Sequence, residues 1–473
     1  MVEPIAPPST IVIGNEAKKG FLEWSTSEPG IEICPDIDMF HVFKEGYRGV
    51  MATKDIAAGV TLVRIARRCC IGPETADASL GEWREAMASA GVVGAASVDG
   101  QKPMGPPLTR ACFTVLRLLH ERGLGKASPF SAYLSVLPLD HRLPMEWNES
   151  EVELLKGTSA EPLVSAASLD SQFEAFERVV ALHPSMWDPS VCSKTAFAKG
   201  VNWVRSRGFT AFGDPHMIPG ADMFNHDPNK QSVQIGTDGD DYFVMKTVHP
   251  VKAGQEVFSS FGNLSNAQLL NSYGFVLTGN PFDSVLIPTE LVVNTCHATF
   301  LEIEGDKLGE EGVKVTWERR LAMVAKGEGE GGDEAFVIAK YNLVPENLLD
   351  TVQLLTMSND EEVAYAAIAA VAQAKIEQYS SVLDRDKRGV CSKQGGEVGR
   401  PIGADARAAA EMLVAEEKAV LVDLKLQLMG AIMQDDDLSE EEEDEDVDGD
   451  PGEENGAKPR KRGKSRKKRR KKS

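Results

Sequence analysis

The sequence predicts an α+β fold: short β-strands interrupted by a helical insert, then a helical region and a charged tail. Three observations predict it. Strand-like sequence recurs in two separated blocks, residues 46–65 and 202–280. Between them, residues 109–205 carry helical apolar spacing. From about residue 285 helical spacing returns and persists to Gln434.

Each element has a local reason. Phe21-Leu22-Glu23-Trp24 suggests a short helix in a Pro- and Gly-punctuated start. Gly49 to Thr53 and Val60 to Ile65 read as strands around a turn at Ala57-Ala58-Gly59. A similar turn at Ala253-Gly254 precedes Glu256-Val257-Phe258, and both are expected to be hairpin turns. Thr109 can cap a helix in which Cys112, Val115, Leu116 and Leu119 share a face, with Gly123 as its stop. Ser265-Asn266-Ala267-Gln268 has the form of a capping box, so a helix is expected from Ser265 to about Gly274. Leu413, Val420, Leu421, Leu424 and Leu428 fall on one helical face.

The chain has 473 residues, more than one compact core usually organises, so two domains and a tail are expected. It contains no apolar run of about 18 residues, so no membrane span is expected. Met1-Val2-Glu3-Pro4 leads into no apolar stretch, so no signal peptide is expected either. Seven scattered cysteines without a C-x-x-C pair suit a reducing compartment and argue against a structural zinc or other metal site. Residues 435–454 hold 14 acids and residues 458–472 hold 12 bases, which nearly cancel. The tail nets −2, so about −19 of the net charge of −21 belongs to the body, which does not look like a general DNA binder. Such charge runs bury too little apolar surface to offset ordering entropy, so a disordered tail is expected over 435–473. Lys458 to Lys472 reads as a nuclear or nucleolar address, with weak nucleic-acid contact or simple solubilisation as the other reading.

Two polar clusters interrupt the apolar second block. One is Pro219-Gly220-Ala221-Asp222-Met223-Phe224-Asn225-His226, and the other runs from Glu256 through Phe261-Gly262 to Tyr273-Gly274-Phe275. Buried polar groups are costly unless paired, so such clusters usually mark a site. Taken singly, Tyr273 reads as a core tyrosine and Asn225-His226 as a turn. In this order and separation the clusters resemble the closing motifs of SET-domain protein methyltransferases, in the branch of Rubisco large-subunit methyltransferase. Glu45-Gly46-Tyr47-Arg48-Gly49, Ser206-Arg207-Gly208-Phe209 and Tyr133-Leu134 with Leu137-Pro138 resemble other motifs of that branch. The resemblance covers roughly residues 20–430.

The resemblance implies a SET β-fold and methyl transfer from S-adenosylmethionine to a protein lysine, without a metal. It implies an N-terminal extension over 1–30, a SET domain over 31–284 with its insert at about 105–200, and a helical substrate-binding domain over 285–434. Gly46, Tyr47, Arg48, Arg207, Asn225, His226 and Phe261 would face the cofactor. Phe209, Asp222 and Tyr273 would shape the substrate channel, with Tyr273 and Phe261 at the reacting centre. The implied partner is a protein presenting a lysine, ribosomal, histone or other; the implied location is the nucleus or nucleolus, and the cytoplasm also. Two departures stand out. The family usually has tyrosine where this chain has Phe261, and Gly-x-Gly where it has Gly46-Tyr47-Arg48-Gly49. Three readings follow: a lysine methyltransferase served by Tyr273, a histidine methyltransferase, or a catalytically weak SET-fold binder of basic peptides.

Overall fold

The computed structural model describes residues 13–43, 47–73, 110–164, 166–325, 335–387 and 404–442. Glu45, Gly46, Thr109 and the chain from 443 onward lie outside the described residues. The first block forms β1 (Ile31–Ile33), β2 (Ile37–Val42), β3 (Arg48–Ala52) and β4 (Thr61–Ala66). The second forms β5 (Gly208–Ala211), β6 (Asp214–Met217), β7 (Val233–Asp238) and β8 (Tyr242–Thr247). An antiparallel sheet of order β1-β4-β8-β7 takes strands from both blocks, while β2–β3 and β5–β6 pair separately. Leu62, Val63 and Ile65 of β4 are all buried, so this central strand is covered on both faces.

The two Ala-Gly turns are not hairpins. β3 pairs with β2, and β4 with β1 and β8, so the Ala57–Gly59 turn joins strands of different sheets. Its arm pairs instead with the segment around the other turn. Ile56 and Val251 exchange backbone hydrogen bonds of 2.8 and 2.9 Å, and Ala52 exchanges bonds of 2.9 and 2.8 Å with Gln255 and Gly254. Turn residues set the local reversal, but burial of the flanking strands chooses their partners.

Helix α1 (Asn15–Ser27) contains Phe21-Leu22-Glu23-Trp24, and its Phe21 packs edge-on against Phe40. The insert contains α2 (Arg110–Leu124), α3 (Ala166–Leu182) and α4 (Lys194–Arg207). Cys112, Val115, Leu116 and Leu119 are buried along α2, as their spacing predicts. Gly123 does not end α2; the helix passes through it to Leu124. Packing explains this glycine, because a Cβ there would lie 3.1 Å from the Asp188 Cβ. Helix α5 (Asn266–Tyr273) has the expected capping box of Ser265 and Gln268 and ends at left-handed Gly274.

The C-terminal region is helical, with α6 (Thr289–Ala325, kinked at Gly309), α7 (Glu346–Thr356), α8 (Glu361–Lys387) and α9 (Ala404–Glu442). It also contains an antiparallel pair, β9 (Ser284–Pro288) with β10 (Ala335–Ala339), where an all-helical domain is expected. Val285 and Ile287 alternate in β9, and Phe336, Ile338 and Ala339 are buried in β10, a near period-two pattern too short to stand out between long helices. Helix α9 runs to Glu442, past the composition change at 435. Among the described residues no helix is long and apolar enough to cross a membrane.

Leu413 of α9 joins Leu155 of the insert and Ala267 and Leu270 of α5 in one cluster. Beside it is a buried polar latch. Glu417 accepts bonds from the Tyr379 hydroxyl and, at 2.8 Å, from the Ser159 amide. Lys375 donates to the Gly157 carbonyl at 2.7 Å. Burial pushes the Glu417 carboxyl up to about 7 against the opposing hydrogen bonds. Its folded pKa lies above the unfolded value, so this group's contribution is complete below about 4.5 and is lost as pH rises through about 7. Glu417→Gln should therefore flatten the stability profile between those values. At pH 8 it should exceed the parent by about 1–3 kcal/mol in urea unfolding.

Candidate active site

The two polar clusters meet through the backbone. The Ser259 amide donates to the Asn225 carbonyl at 2.8 Å, and the Asp227 amide to the Ser259 carbonyl at 3.3 Å. His226–Ser259 and Gln231–Phe258 are parallel bridges, so the clusters run side by side in one direction. On the other flank, the Val257 amide donates to the Val50 carbonyl of β3 at 2.8 Å. Three segments distant in sequence are thus held edge to edge.

One polar node lies at the β3 side. Asn225 donates through Nδ2 to the Arg48 carbonyl at 2.7 Å and to Glu256 Oε1 at 2.8 Å. The Tyr47 hydroxyl donates to Glu256 Oε2 at 2.8 Å. Burial raises the Glu256 carboxyl above its usual range, against the hydrogen bonds from Tyr47 and Asn225. The Arg48 guanidinium donates to the carbonyls of Met223 at 3.0 Å and Met39 at 3.3 Å. Burial, with the charge of Arg207, brings it down to about 10.

A second node lies where α4 ends. Arg207 donates to the Asp222 carbonyl at 3.0 Å and pairs with its Oδ2 at 3.4 Å. The Tyr133 hydroxyl donates to the same Oδ2 at 3.2 Å. The Asp222 side chain is fully buried, and burial raises its carboxyl against the pull of both arginines. Among the described residues Arg48 Nε, Arg207 Nε, Asp222 Oδ1 and Ser259 Oγ are buried without a partner. Native interiors pair such atoms, so four around one crossing point to a polar ligand.

An aromatic wall completes the site. His226 stacks on Phe261 at 5.0 Å and 19°, and Phe261 on Tyr273 at 4.6 Å and 27°. Phe275 meets Phe261 edge-on at 6.4 Å. His226 Nδ1 accepts from the Phe261 amide at 3.0 Å, and burial lowers its pKa, which suits the neutral acceptor. No described residue bonds the Tyr273 hydroxyl, whose pKa burial raises. Phe261 and Tyr273 are only half-buried, so the wall has an open side.

The structure brings together Tyr47, Arg48, Arg207, Asp222, Asn225, His226, Phe261 and Tyr273. Gly46 lies outside the described residues. Phe209 packs against Phe243 of β8 at 5.3 Å. Asp222 faces Arg207 and Tyr133 in the interior. Glu256, which sequence reasoning gave no role, bridges Tyr47 and Asn225; its only signal is an acid beside buried Val257. Tyr133 and His141 are likewise missed, because their partners lie 89 and 132 residues away.

Residues 47–262 match the family profile described as SET domain. Over 368 residues the chain is 28% identical to N-lysine methyltransferase SETD6 of Mus musculus, covering 73% of this chain and 71% of that protein. It is 28% identical over 206 residues to the ribosomal lysine N-methyltransferase set10 of Schizosaccharomyces pombe, covering 41% of this chain and 35% of the relative. The fold matches a structure of Rubisco LSMT bound to sinefungin and monomethyllysine. The TM-score is 0.60 at 18% identity, covering 89% of this chain and 93% of the other.

Gly49 tests the first node. A Cβ there would lie 2.1 Å from Glu256 Oε1 and 3.0 Å from Asn225 Nδ2. Gly49→Ala should displace both side chains and cost about 1–3 kcal/mol of stability, read by urea denaturation.

Proposed function

We propose that this chain, which carries a SET domain of the Rubisco large-subunit methyltransferase-like branch, methylates a protein lysine using S-adenosylmethionine. The observation that carries the reading is the parallel crossing of Asn225–Asp227 with Phe258–Phe261, with two arginines bonded to the segment that leads into it and an aromatic wall on its flank. The unpartnered buried atoms Arg48 Nε and Arg207 Nε suit the carboxylate of an amino-acid ligand, and the face of Phe261 suits a flat or cationic group. When bound, S-adenosylmethionine supplies a methyl group on a cationic sulfur. Tyr47, Arg48, Arg207, Asn225, His226 and Phe261 would hold it.

The protein's work is orientation and proton control. A free lysine, with a reference pKa near 10.4, is about 99.9% protonated at pH 7, so the channel must favour the neutral amine. Phe261, Tyr273 and Phe275 wall off water on the acceptor side. The unbonded Tyr273 hydroxyl is the polar group left to contact the reacting centre. Asp222 and Phe209 shape the channel from behind: Asp222 by anchoring Arg207, Phe209 through the β5–β8 packing. Alignment of amine and methyl group supplies several kcal/mol of the barrier reduction.

The division we propose is a SET domain over 31–284 and a substrate-binding domain over 285–434. The basic run from Lys458 serves as a nuclear or nucleolar address, and the adjoining acids attract basic protein substrates at low salt.

Labelled cofactor incubated with cell extract should mark protein, and mass spectrometry of the product should place the label on lysine. Label on histidine would instead select the histidine reading. Tyr273→Phe should lower kcat by about 10²–10³ while leaving the cofactor Kd within about threefold. Phe261→Tyr should change kcat by less than tenfold. A far larger gain would favour a weak binder that has lost its hydroxyl.

A further inference from the structure

The last residue of α5 is Tyr273, and the final carbonyls of a helix have no partner within it. The Tyr273 carbonyl finds one in the insert, at His141 Nε2, 2.9 Å away. The opposite ring nitrogen, Nδ1, lies 3.2 Å from Asn202 Oδ1. Asn202 is fully buried, and its amide orientation is set by two acceptors. Its Nδ2 donates to the His141 carbonyl at 3.0 Å and to Glu146 Oε2. Its Oδ1 must therefore face the imidazole. Lys199 braces the loop, donating to the His141 carbonyl at 2.6 Å and pairing with Glu146 at 3.0 Å.

The contact is close on the site side as well. Gly274 has φ 78°, and a Cβ there would lie 2.8 Å from His141 Nε2. The ring thus abuts the backbone that aims Tyr273 at Phe261, 4.6 Å away. We propose that His141 is a positioning residue for methyl transfer, donating Nε2–H to the Tyr273 carbonyl while Asn202 and Lys199 hold the residue by its own backbone carbonyl. This rests on the reading of Tyr273 as the tyrosine of the acceptor channel.

The proton's place follows from the geometry. Both ring nitrogens face acceptors, and a neutral imidazole has one N–H. Burial lowers the His141 pKa, the positive charges of Arg207 and Lys199 lower it further, and the hydrogen bonds to Asn202 and Tyr273 oppose them. Burial thus favours the neutral ring, whose one proton belongs on Nε2, at the shorter contact. Nδ1 then faces Asn202 Oδ1 without a proton, so this longer contact carries no hydrogen bond.

Two variants separate positioning from mere packing. In His141→Gln the amide nitrogen reaches the place of Nε2, whereas in His141→Asn it reaches only that of Nδ1. His141→Asn should lower kcat on the protein substrate about five- to tenfold, with the cofactor Kd unchanged within about twofold. His141→Gln should recover at least half of the loss. Hydrogen exchange gives a readout independent of activity. The Gly274 amide, which closes α5 on Leu269 and Leu270, should exchange faster in His141→Asn and not in His141→Gln. Nitrogen-15 spectra of the parent should show the Nε2–H tautomer. Equal losses in both variants, or unchanged Gly274 exchange in His141→Asn, would overturn the proposal. A parent protein that transfers no methyl group would sink the functional reading, while the exchange data would still judge the clamp.

Discussion

The site depends on one backbone arrangement, the parallel run of Asn225–Asp227 beside Phe258–Phe261. Parallel neighbours cannot be joined by a tight turn and need a long connection. Here β7 and β8 form that connection, and both belong to the four-stranded sheet. Val257 is at the same time bonded to β3. The crossing therefore ties the first strand block to the second, and Asn225, His226 and Phe261 inherit their places from it.

Around this crossing the protein buries charge at a cost. Asp222, Arg48 and Arg207 share the interior, and Glu256 is largely shielded beside them. Burial opposes ionisation of each carboxylate and depresses Arg48, and mutual pairing with hydrogen bonds from Tyr47, Asn225 and Tyr133 compensates. The compensation is incomplete, as the unpartnered atoms of Arg48, Arg207 and Asp222 show. A stability-optimised core would have apolar residues there; a cleft that receives a charged ligand has a reason not to.

Much of this was legible locally. The capping box at Ser265 and the stop at Gly274 delimit α5 because capping depends on residues three or four apart. The Leu413 to Leu428 face and the Cys112 to Leu119 face are buried for the same reason of short period. Gly123 misleads because its missing side chain leaves room for Asp188, 65 residues away, while the helix ends one residue later. Ala57–Gly59 and Ala253–Gly254 mislead because a turn's residues carry no information about which strands pair.

The sequence by itself determined the α+β class, the order of the blocks and the helix limits near the second cluster. Those follow from periodicity and short-range hydrogen bonding, which any local window contains. Only the tertiary structure decided that Glu256 joins Tyr47 to Asn225, that Asp222 faces inward to Arg207 and Tyr133, and that His141 meets Tyr273. These pairings span from 15 to 209 residues and are selected by burial, since a buried donor or acceptor takes whatever partner the packed chain brings within reach.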